Sequence, residues 1–336
     1  MSDFSLRTLQ PYFPTQLVGI LTLGLTMITV SLPSVTKENA LQTESPVAAE
    51  LQPSRLTAHL EMGPLTLNVG DLELQIAFYR DVVGLQELET ARNEVLLGWE
   101  DRPVLRLVAS DLPAFPRESA GLYHSAIVFT SRAELAQAVQ RVLQQRPDLY
   151  SGTADHIVSE AFYFSDPEGN GLELYYDKDP NGWVWNNGRV QMGSEYIDPQ
   201  QYLAIYLDEG GDATRKMGHV HLQVGNIAQA KSFYVDVLGM SVTAEMPTAL
   251  FVSDGKYHHH LGMNTWESNG AGKRDETLGL RSFEMWVEKE EDLGGLRERL
   301  EQSKVEFVEE DGVITVQDPW GNVVRVDSYQ QLSTFQ

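Results

Sequence analysis

The sequence predicts an α+β protein made of four βαβββ modules arranged in two pairs. The main observation is an internal repeat. The segment MGPLTLNVGDLELQIAFYRDVVGL at residues 62–85 returns 155 residues later as MGHVHLQVGNIAQAKSFYVDVLGM at residues 217–240. Self-similarity on this scale indicates a duplicated unit.

Each copy of the repeat divides into two similar segments. GLYHSAIVF from Gly121 matches GLRSFEMWV from Gly279, and DPEGNGLEL from Asp166 matches DPWGNVVRV from Asp318. Each segment opens with an alternating strand, continues with a helix and closes with two or three strands. A single such module exposes an apolar sheet face, so the modules have to pair. The four modules lie near residues 62–110, 121–178, 217–265 and 279–328.

Individual elements follow from local patterns. His219–Val224 alternates as a strand does, and Ile227–Leu238 and Ser131–Gln145 have helical periodicity. Asp166–Asn170, DPEGN, is a turn before the last strand. The predicted regions are an apolar anchor or signal segment plus linker at 1–58, a first domain at 60–178, a linker at 179–216 and a second domain at 217–330.

The composition limits the function. The net charge is −23, from 48 acidic and 25 basic residues, with a sequence pI of about 4.6. An acidic surface repels phosphate backbones, so we expect no nucleic-acid partner. The chain has no cysteine, which excludes disulfides, thiolate ligands and a cysteine nucleophile. Any metal must be held by His, Asp or Glu.

The N-terminus differs from the rest. No charged residue occurs between Arg7 and Lys37, and residues 17–32 read LVGILTLGLTMITVSL. Sixteen apolar residues approach the length that spans a bilayer. A membrane anchor, a signal peptide and an overlong start that never folds are the three interpretations. The protein is thus expected to be membrane-tethered or exported if this segment is a genuine helix, and cytoplasmic otherwise.

The histidines indicate a single site. Seven of the eight lie between His124 and His260, in the second half of one repeat copy and the first half of the other. Imidazole is the commonest metal ligand and a proton carrier near neutral pH. This distribution predicts one site built from two modules that belong to different copies of the repeat.

The motifs resemble those of a known family. The FYxDVLG run after a strand and helix, the DPxGN turn and the fourfold βαβββ pattern resemble the vicinal oxygen chelate superfamily. That superfamily includes glyoxalase I, bleomycin and fosfomycin resistance proteins and extradiol dioxygenases. GLYHSAIVF, SEAFYFSDPEGNGLELYYD, GHVHLQV and YHHHLGMNTW more closely resemble bacterial two-domain catechol 2,3-dioxygenases. The resemblance covers about residues 60–330.

This resemblance implies where metal ligands lie, at the start of a module's first strand and on its last strand. Module two has His124 and Glu173 there, and module three has His219, whereas module four has Ser282 and Arg325. Module one has no ligand either. We therefore expect modules two and three to pair around one metal, and modules one and four to form a half without metal.

His124, Glu173 and His219 are accordingly the expected metal ligands. Two histidines and one carboxylate leave coordination positions open, as in non-haem Fe(II) oxygenases. The expected metal is Fe(II), with Mn(II) or another divalent ion as the alternative. His221 shares a strand face with His219, and the Gly-His match to the family favours His219 as the ligand.

The resemblance also implies catalytic residues. In the extradiol signature that starts at His156, the histidine and Tyr163 line the pocket and contact the bound catecholate. We expect residues 258–260, HHH, on a strand, so that either His259 points inward or its two neighbours do. The family pattern makes His259 the acid–base residue. A fourth metal ligand at His258 or His260 is the alternative.

The expected function is an Fe(II)-dependent extradiol ring-cleaving dioxygenase that acts on a catechol-like small molecule and dioxygen. Another metalloenzyme on this scaffold, such as a glyoxalase-type isomerase or thiol transferase, is the second hypothesis. A non-catalytic binding or accessory protein is the third. Both a monomer and a homo-oligomer are compatible with the sequence.

Overall fold

The computed structural model describes residue 56 and residues 59–208 and 214–328. The apolar segment 17–32 lies outside these residues, and its role stays a prediction. Within the described part of the chain, no helix is both long and apolar enough to cross a membrane.

The described residues form the four predicted βαβββ modules, and the fold class is confirmed. Modules one and three have a short α-helix that continues into a π-helical turn, Phe78–Val83 and Ser232–Val237. Module one consists of β1 Leu60–Val69, α1 Leu72–Ala77, β2 Gln86–Ala91, β3 Glu94–Trp99 and β4 Arg102–Ala109. Module two consists of β5 Gly121–Phe129, α2 Arg132–Gln145, β6 Tyr150–Asp155, β7 Ser159–Ser165 and β8 Gly171–Asp177.

A connection and two more modules follow. The connection contains β9 Trp185–Asn186, β10 Arg189–Val190 and α3 Pro199–Tyr206. Module three consists of β11 Arg215–Gln223, α4 Ile227–Lys231, β12 Ser241–Met246, β13 Ala249–Ser253 and β14 Leu261–Asn264. Module four consists of β15 Gly279–Val287, α5 Glu290–Gln302, β16 Phe307–Glu310, β17 Val313–Gln317 and β18 Val323–Ser328.

The modules pair across the two halves of the chain, as the ligand pattern predicts. One eight-stranded sheet has the order β16-β17-β18-β15-β1-β4-β3-β2 and joins modules four and one. The other has the order β12-β13-β14-β11-β5-β8-β7-β6 and joins modules three and two. In each sheet the first strands of the two modules meet antiparallel, β1 with β15 and β5 with β11.

The repeated motifs link one sheet to the other. The hydroxyl of Tyr79, from the FYxDV run of module one, donates to Asp166 at the start of the DPEGN turn in module two, at 3.1 Å. Tyr234 donates in the same way to Asp318, at 2.9 Å. All four residues are buried. A buried polar group needs a hydrogen-bond partner, so the two motifs depend on each other.

Arg215 is a second link between the sheets. Its side chain is 4 % exposed and lies 2.6 Å from a carboxylate oxygen of Glu134 on α2. It donates to the carbonyl of Gly84 in module one at 3.0 Å and lies over the ring of Trp99, 3.8 Å from the centroid. Burial lowers the pKa of Arg215 to about 10, so the guanidinium remains charged at neutral pH.

The structure corrects the prediction that residues 258–260 lie on a strand. Strand β14 begins at Leu261, and the three histidines lie in the bend before it. A turn at Asp254 and Gly255 produces the bend. The Asp254 carboxylate accepts from the backbone of Lys256 at 2.9 Å, and Gly255 has a φ of +97°. The alternation that a strand imposes therefore does not apply to these histidines.

Candidate active site

Three neighbouring strands of the second sheet bring the predicted metal ligands together. Glu173 on β8 is the register partner of Ala126 on β5, and Ala126 is the partner of His219 on β11. His124 lies two residues before Ala126, so these side chains share one face of the sheet. The small side chain of Ala126 leaves space in the middle of the row.

His124, Glu173 and His219 form a buried cluster. One potential ligand atom from each lies within 4.8 Å of the others, and no other such group occurs among the described residues. Nε2 of His124 is 3.1 Å from Oε2 of Glu173, and Nε2 of His219 is 3.4 Å from the same oxygen.

This donor set fits a divalent cation. The Nε2 atom of His124 is buried and has no hydrogen-bond partner, although it lies 3.1 Å from Oε2 of Glu173. The Nδ1 atom of His219 is likewise buried without a partner. No described Lys or Arg lies within ion-pair distance of Glu173. A buried carboxylate without a cationic partner is costly, and a metal ion removes that cost.

The pKa shifts of His219 and Glu173 indicate that both side chains are in the protonation state that binds a metal. Burial lowers the pKa of His219 to about 4, so its ring is neutral at neutral pH. For Glu173, burial favours protonation, but contacts with His219 and His124 outweigh it and hold the pKa well below its usual range. An ionised carboxylate beside a neutral imidazole is the form in which both bind a metal.

His221 lies next to the cluster but has another partner. Its Nε2 is 3.1 Å from the side-chain nitrogen of Asn264, which can only donate, so Nε2 accepts. This hydrogen bond gives His221 a partner outside the ligand cluster. Its ring also lies 5.1 Å from that of Tyr123 and 5.7 Å from that of Trp266. Trp266 is 52 % exposed, so an aromatic wall leads from the surface to the cluster.

The structure places His156 and Tyr163 beside Glu173. Tyr163 on β7 is the direct register partner of Glu173, and its hydroxyl is 2.7 Å from Nε2 of His156. Nδ1 of His156 donates to the carbonyl of Gly193 at 2.7 Å, so in the uncharged ring Nε2 accepts from the tyrosine. Burial and the nearby Glu173 raise the pKa of Tyr163 well above its usual value, which keeps the hydroxyl protonated.

His259 lies on the other side of the cluster. Its ring centroid is 4.2 Å from that of His219 and 5.0 Å from that of Phe251. Burial, with the neighbouring His219, lowers the pKa of His259 well below its usual value, so the ring is neutral. His258 and His260 are not members of the ligand cluster. His258 instead contacts Asp177, 2.7 Å from Nε2 to the carboxylate.

Sequence reasoning missed a group of supporting residues. Asp177, at the end of β8, also accepts a hydrogen bond from Tyr257 at 2.7 Å, and Tyr257 contacts the hydroxyl of Tyr175 at 2.7 Å. Trp183, from the connection between the repeats, packs 5.3 Å from His258. The sequence indicates part of this group, because Glu173, Tyr175 and Asp177 are spaced two residues apart along a strand and so lie on the same face.

Comparison with known proteins agrees with this architecture. The family profile of the Glyoxalase/Bleomycin resistance protein/Dioxygenase superfamily matches residues 59–174 and 216–326. The chain belongs to this superfamily.

The chain is also similar to individual proteins of known name or structure. The chain is 32 % identical over 272 residues to a catechol-2,3-dioxygenase of Bacillus subtilis (strain 168), covering 77 % of this chain and 93 % of the relative. Among solved structures, an E144Q mutant of glyoxalase I from Zea mays has a TM-score of 0.53 at 14 % identity, covering 82 % of this chain and 96 % of that one. Wild-type Zea mays glyoxalase I has a TM-score of 0.51 at 13 % identity, with coverage of 82 % and 95 %. At these identities the structures show a shared fold.

Proposed function

We propose that the protein is an extradiol ring-cleaving dioxygenase that uses Fe(II) held by His124, Glu173 and His219 and acts on a catechol-like small molecule. The observation that carries the proposal is the arrangement of proton-handling groups around the cluster. The pair His156–Tyr163 lies on one side of it and His259 on the other. The curated relative named catechol-2,3-dioxygenase supports the same reaction.

Fe(II) held by His124, Glu173 and His219 would supply a Lewis acid for the catechol oxygens and a redox centre for the reaction with dioxygen. In the overall reaction a ring C–C bond beside the diol breaks, and both oxygen atoms of dioxygen enter the product. No external reductant is needed. The roles that follow belong to side chains of this chain.

Binding requires the catechol to lose protons. His259 is neutral and buried next to His219, so a ring nitrogen can accept a proton from a substrate hydroxyl and later return it. On the other side of the cluster, His156 with both ring nitrogens protonated would donate from Nε2 to the oxygen of Tyr163. The tyrosine O–H is then free to donate to a substrate oxygen. The aromatic wall of Tyr123 and Trp266 suits a planar ring that enters from the surface.

Anaerobic loading with Fe(II), followed by catechol and measurement of oxygen uptake, tests the proposal. We expect uptake of one dioxygen per catechol and a ring-opened product. His259→Gln should retain iron and lose turnover by about 10²–10⁴-fold. Isomerisation of a hemithioacetal without oxygen uptake would instead identify a glyoxalase-type enzyme. Failure to bind any divalent metal would identify a binding protein.

A further inference from the structure

His259 is joined to a buried chain of hydrogen bonds that runs through its neighbour His258. Nδ1 of His258 is 2.8 Å from Nδ1 of His259, and Nε2 of His258 is 2.7 Å from Oδ1 of Asp177. His258 is fully buried and His259 is 8 % exposed. Two imidazoles joined through Nδ1 atoms require one ring to donate and the other to accept.

The carboxylate decides the direction of this chain. Asp177 can only accept when ionised, so in the uncharged form of His258 the proton is on Nε2 and Nδ1 carries a lone pair. That lone pair accepts from Nδ1–H of His259. The remaining nitrogen of His259, Nε2, therefore has no proton, and no hydrogen bond to a described residue uses it.

The carboxylate is itself held in place. Tyr257 donates to Oδ2 of Asp177 at 2.7 Å, so its oxygen is left to accept from Tyr175, also at 2.7 Å. A side chain at Gly218 would bring its Cβ within 1.9 Å of the hydroxyl of Tyr175, so a glycine is needed where the chain passes that hydroxyl. Trp183 packs 5.3 Å from the His258 ring. These contacts leave His258 little freedom to rotate.

We propose that Asp177 and His258 are positioning residues that fix His259 in the Nδ1–H tautomer, with an unprotonated Nε2 available to the substrate. The inference deepens the proposed function, because it rests on the acid–base role of His259. Which nitrogen of a histidine carries the proton is set by the hydrogen bond of the other nitrogen. The Nε2–H form is the usual tautomer of a neutral histidine side chain in water, so the arrangement reverses the ordinary preference.

Two substitutions separate this role from packing. His258→Asn keeps an acceptor oxygen near the position of Nδ1 but leaves a cavity, whereas His258→Phe keeps the ring shape and removes the acceptor. Under the proposal, kcat of the asparagine variant exceeds that of the phenylalanine variant, which falls by about 10–100-fold. KM and iron content stay within about twofold in both. A packing role reverses the order of the two variants.

The tautomer can be measured without turnover. The full-length, metal-free protein labelled with nitrogen-15 at its eight histidines is examined at neutral pH by long-range nitrogen–proton correlation NMR, with single variants for assignment. We expect the Nδ1–H pattern for His259 in the wild type and His258→Asn, and the Nε2–H pattern in His258→Phe. If that variant does not fold, Asp177→Ala should give a mixture of tautomers.

The outcomes distinguish the inference from the function. An Nε2–H pattern in the wild type, or an unchanged pattern in a folded His258→Phe protein, overturns the inference even if ring cleavage is observed. The expected tautomers in a protein that cleaves no catechol leave the positioning intact and refute the dioxygenase. Loss of metal from His258→Phe also overturns the inference, because His258 would then support the metal ligands rather than position His259.

Discussion

Glu173 and Arg325 occupy equivalent positions in the two sheets and have opposite surroundings. Glu173 pairs in register with Ala126, whereas Arg325 pairs with Glu284, which stands where Ala126 does in the matching segment. Arg325 lies 3.3 Å from Glu284 and is 42 % exposed in its side chain. The pair of modules one and four thus has an ion pair at the place where the pair of modules two and three has a buried carboxylate with two imidazoles.

We expect this difference to determine metal content. Glu173→Ala removes a proposed ligand and should reduce the bound metal from about one ion per chain to a small fraction. Arg325→Ala is the matched control, since it changes the equivalent position outside the cluster and should leave metal content unchanged. Elemental analysis after dialysis measures both. Two tightly bound ions per wild-type chain, or full loading of Glu173→Ala, would contradict the assignment.

The pairing of the modules could be predicted because the ligand types are distributed unevenly along the chain. His124 and Glu173 lie in one half and His219 lies in the other, so a metal bound by all three would require the two halves to come together. The geometry of residues 258–260 could not be predicted by the same logic. Side chains alternate between two faces only within a strand. Because of the turn at Asp254 and Gly255, β14 begins at Leu261, after the three histidines.

The support of His259 was missed for a related reason. Asp177, Tyr257 and His258 meet only because the bend after β13 packs against the end of β8. The pattern of β8 places Asp177 on the correct face, but it carries no information about which loop residues come to meet it.

Tyr163→Phe should separate substrate binding from metal binding. The hydroxyl contacts His156 and the residue lies opposite Glu173, so the substitution removes the proposed hydrogen bond to the substrate and keeps all three proposed ligand side chains. We expect unchanged iron content, a KM for catechol raised by about 10-fold and a smaller effect on kcat. Steady-state oxygen uptake at varied catechol concentrations measures the effects on KM and kcat separately. An equal loss of kcat and kcat/KM with KM unchanged would place the hydroxyl in the chemical step.

Removal of residues 1–50 tests the N-terminal anchor. Leu56 is buried, and its backbone donates to Gly239 at 3.2 Å, so the deletion stops short of the described fold. We expect the shortened protein to bind metal and turn over like the full chain. The full chain should co-sediment with lipid vesicles, and the shortened protein should remain in the supernatant. Equal sedimentation of both would refute an anchor in this segment.

The last prediction concerns stability against pH and uses His260, which is not a member of the ligand cluster. Burial lowers the pKa of His260 from its ordinary 6.5 to about 4. Asp254 opposes the shift, while His258, Lys216 and His219 add to it. Between these two values the unfolded chain binds a proton at this residue and the folded protein does not.

The free energy of unfolding must therefore fall as the pH drops from about 6.5 towards 4, because proton binding favours the unfolded state in that window. One such group contributes a slope of up to about 1.4 kcal/mol per pH unit. His260→Gln removes the titrating group, so its urea-unfolding free energy should depend less steeply on pH than that of the wild type. Both proteins are compared without metal, so that the other buried histidines contribute equally. Above pH 6.5 the two curves should run parallel, and parallel curves throughout would show that His260 titrates normally in the folded protein.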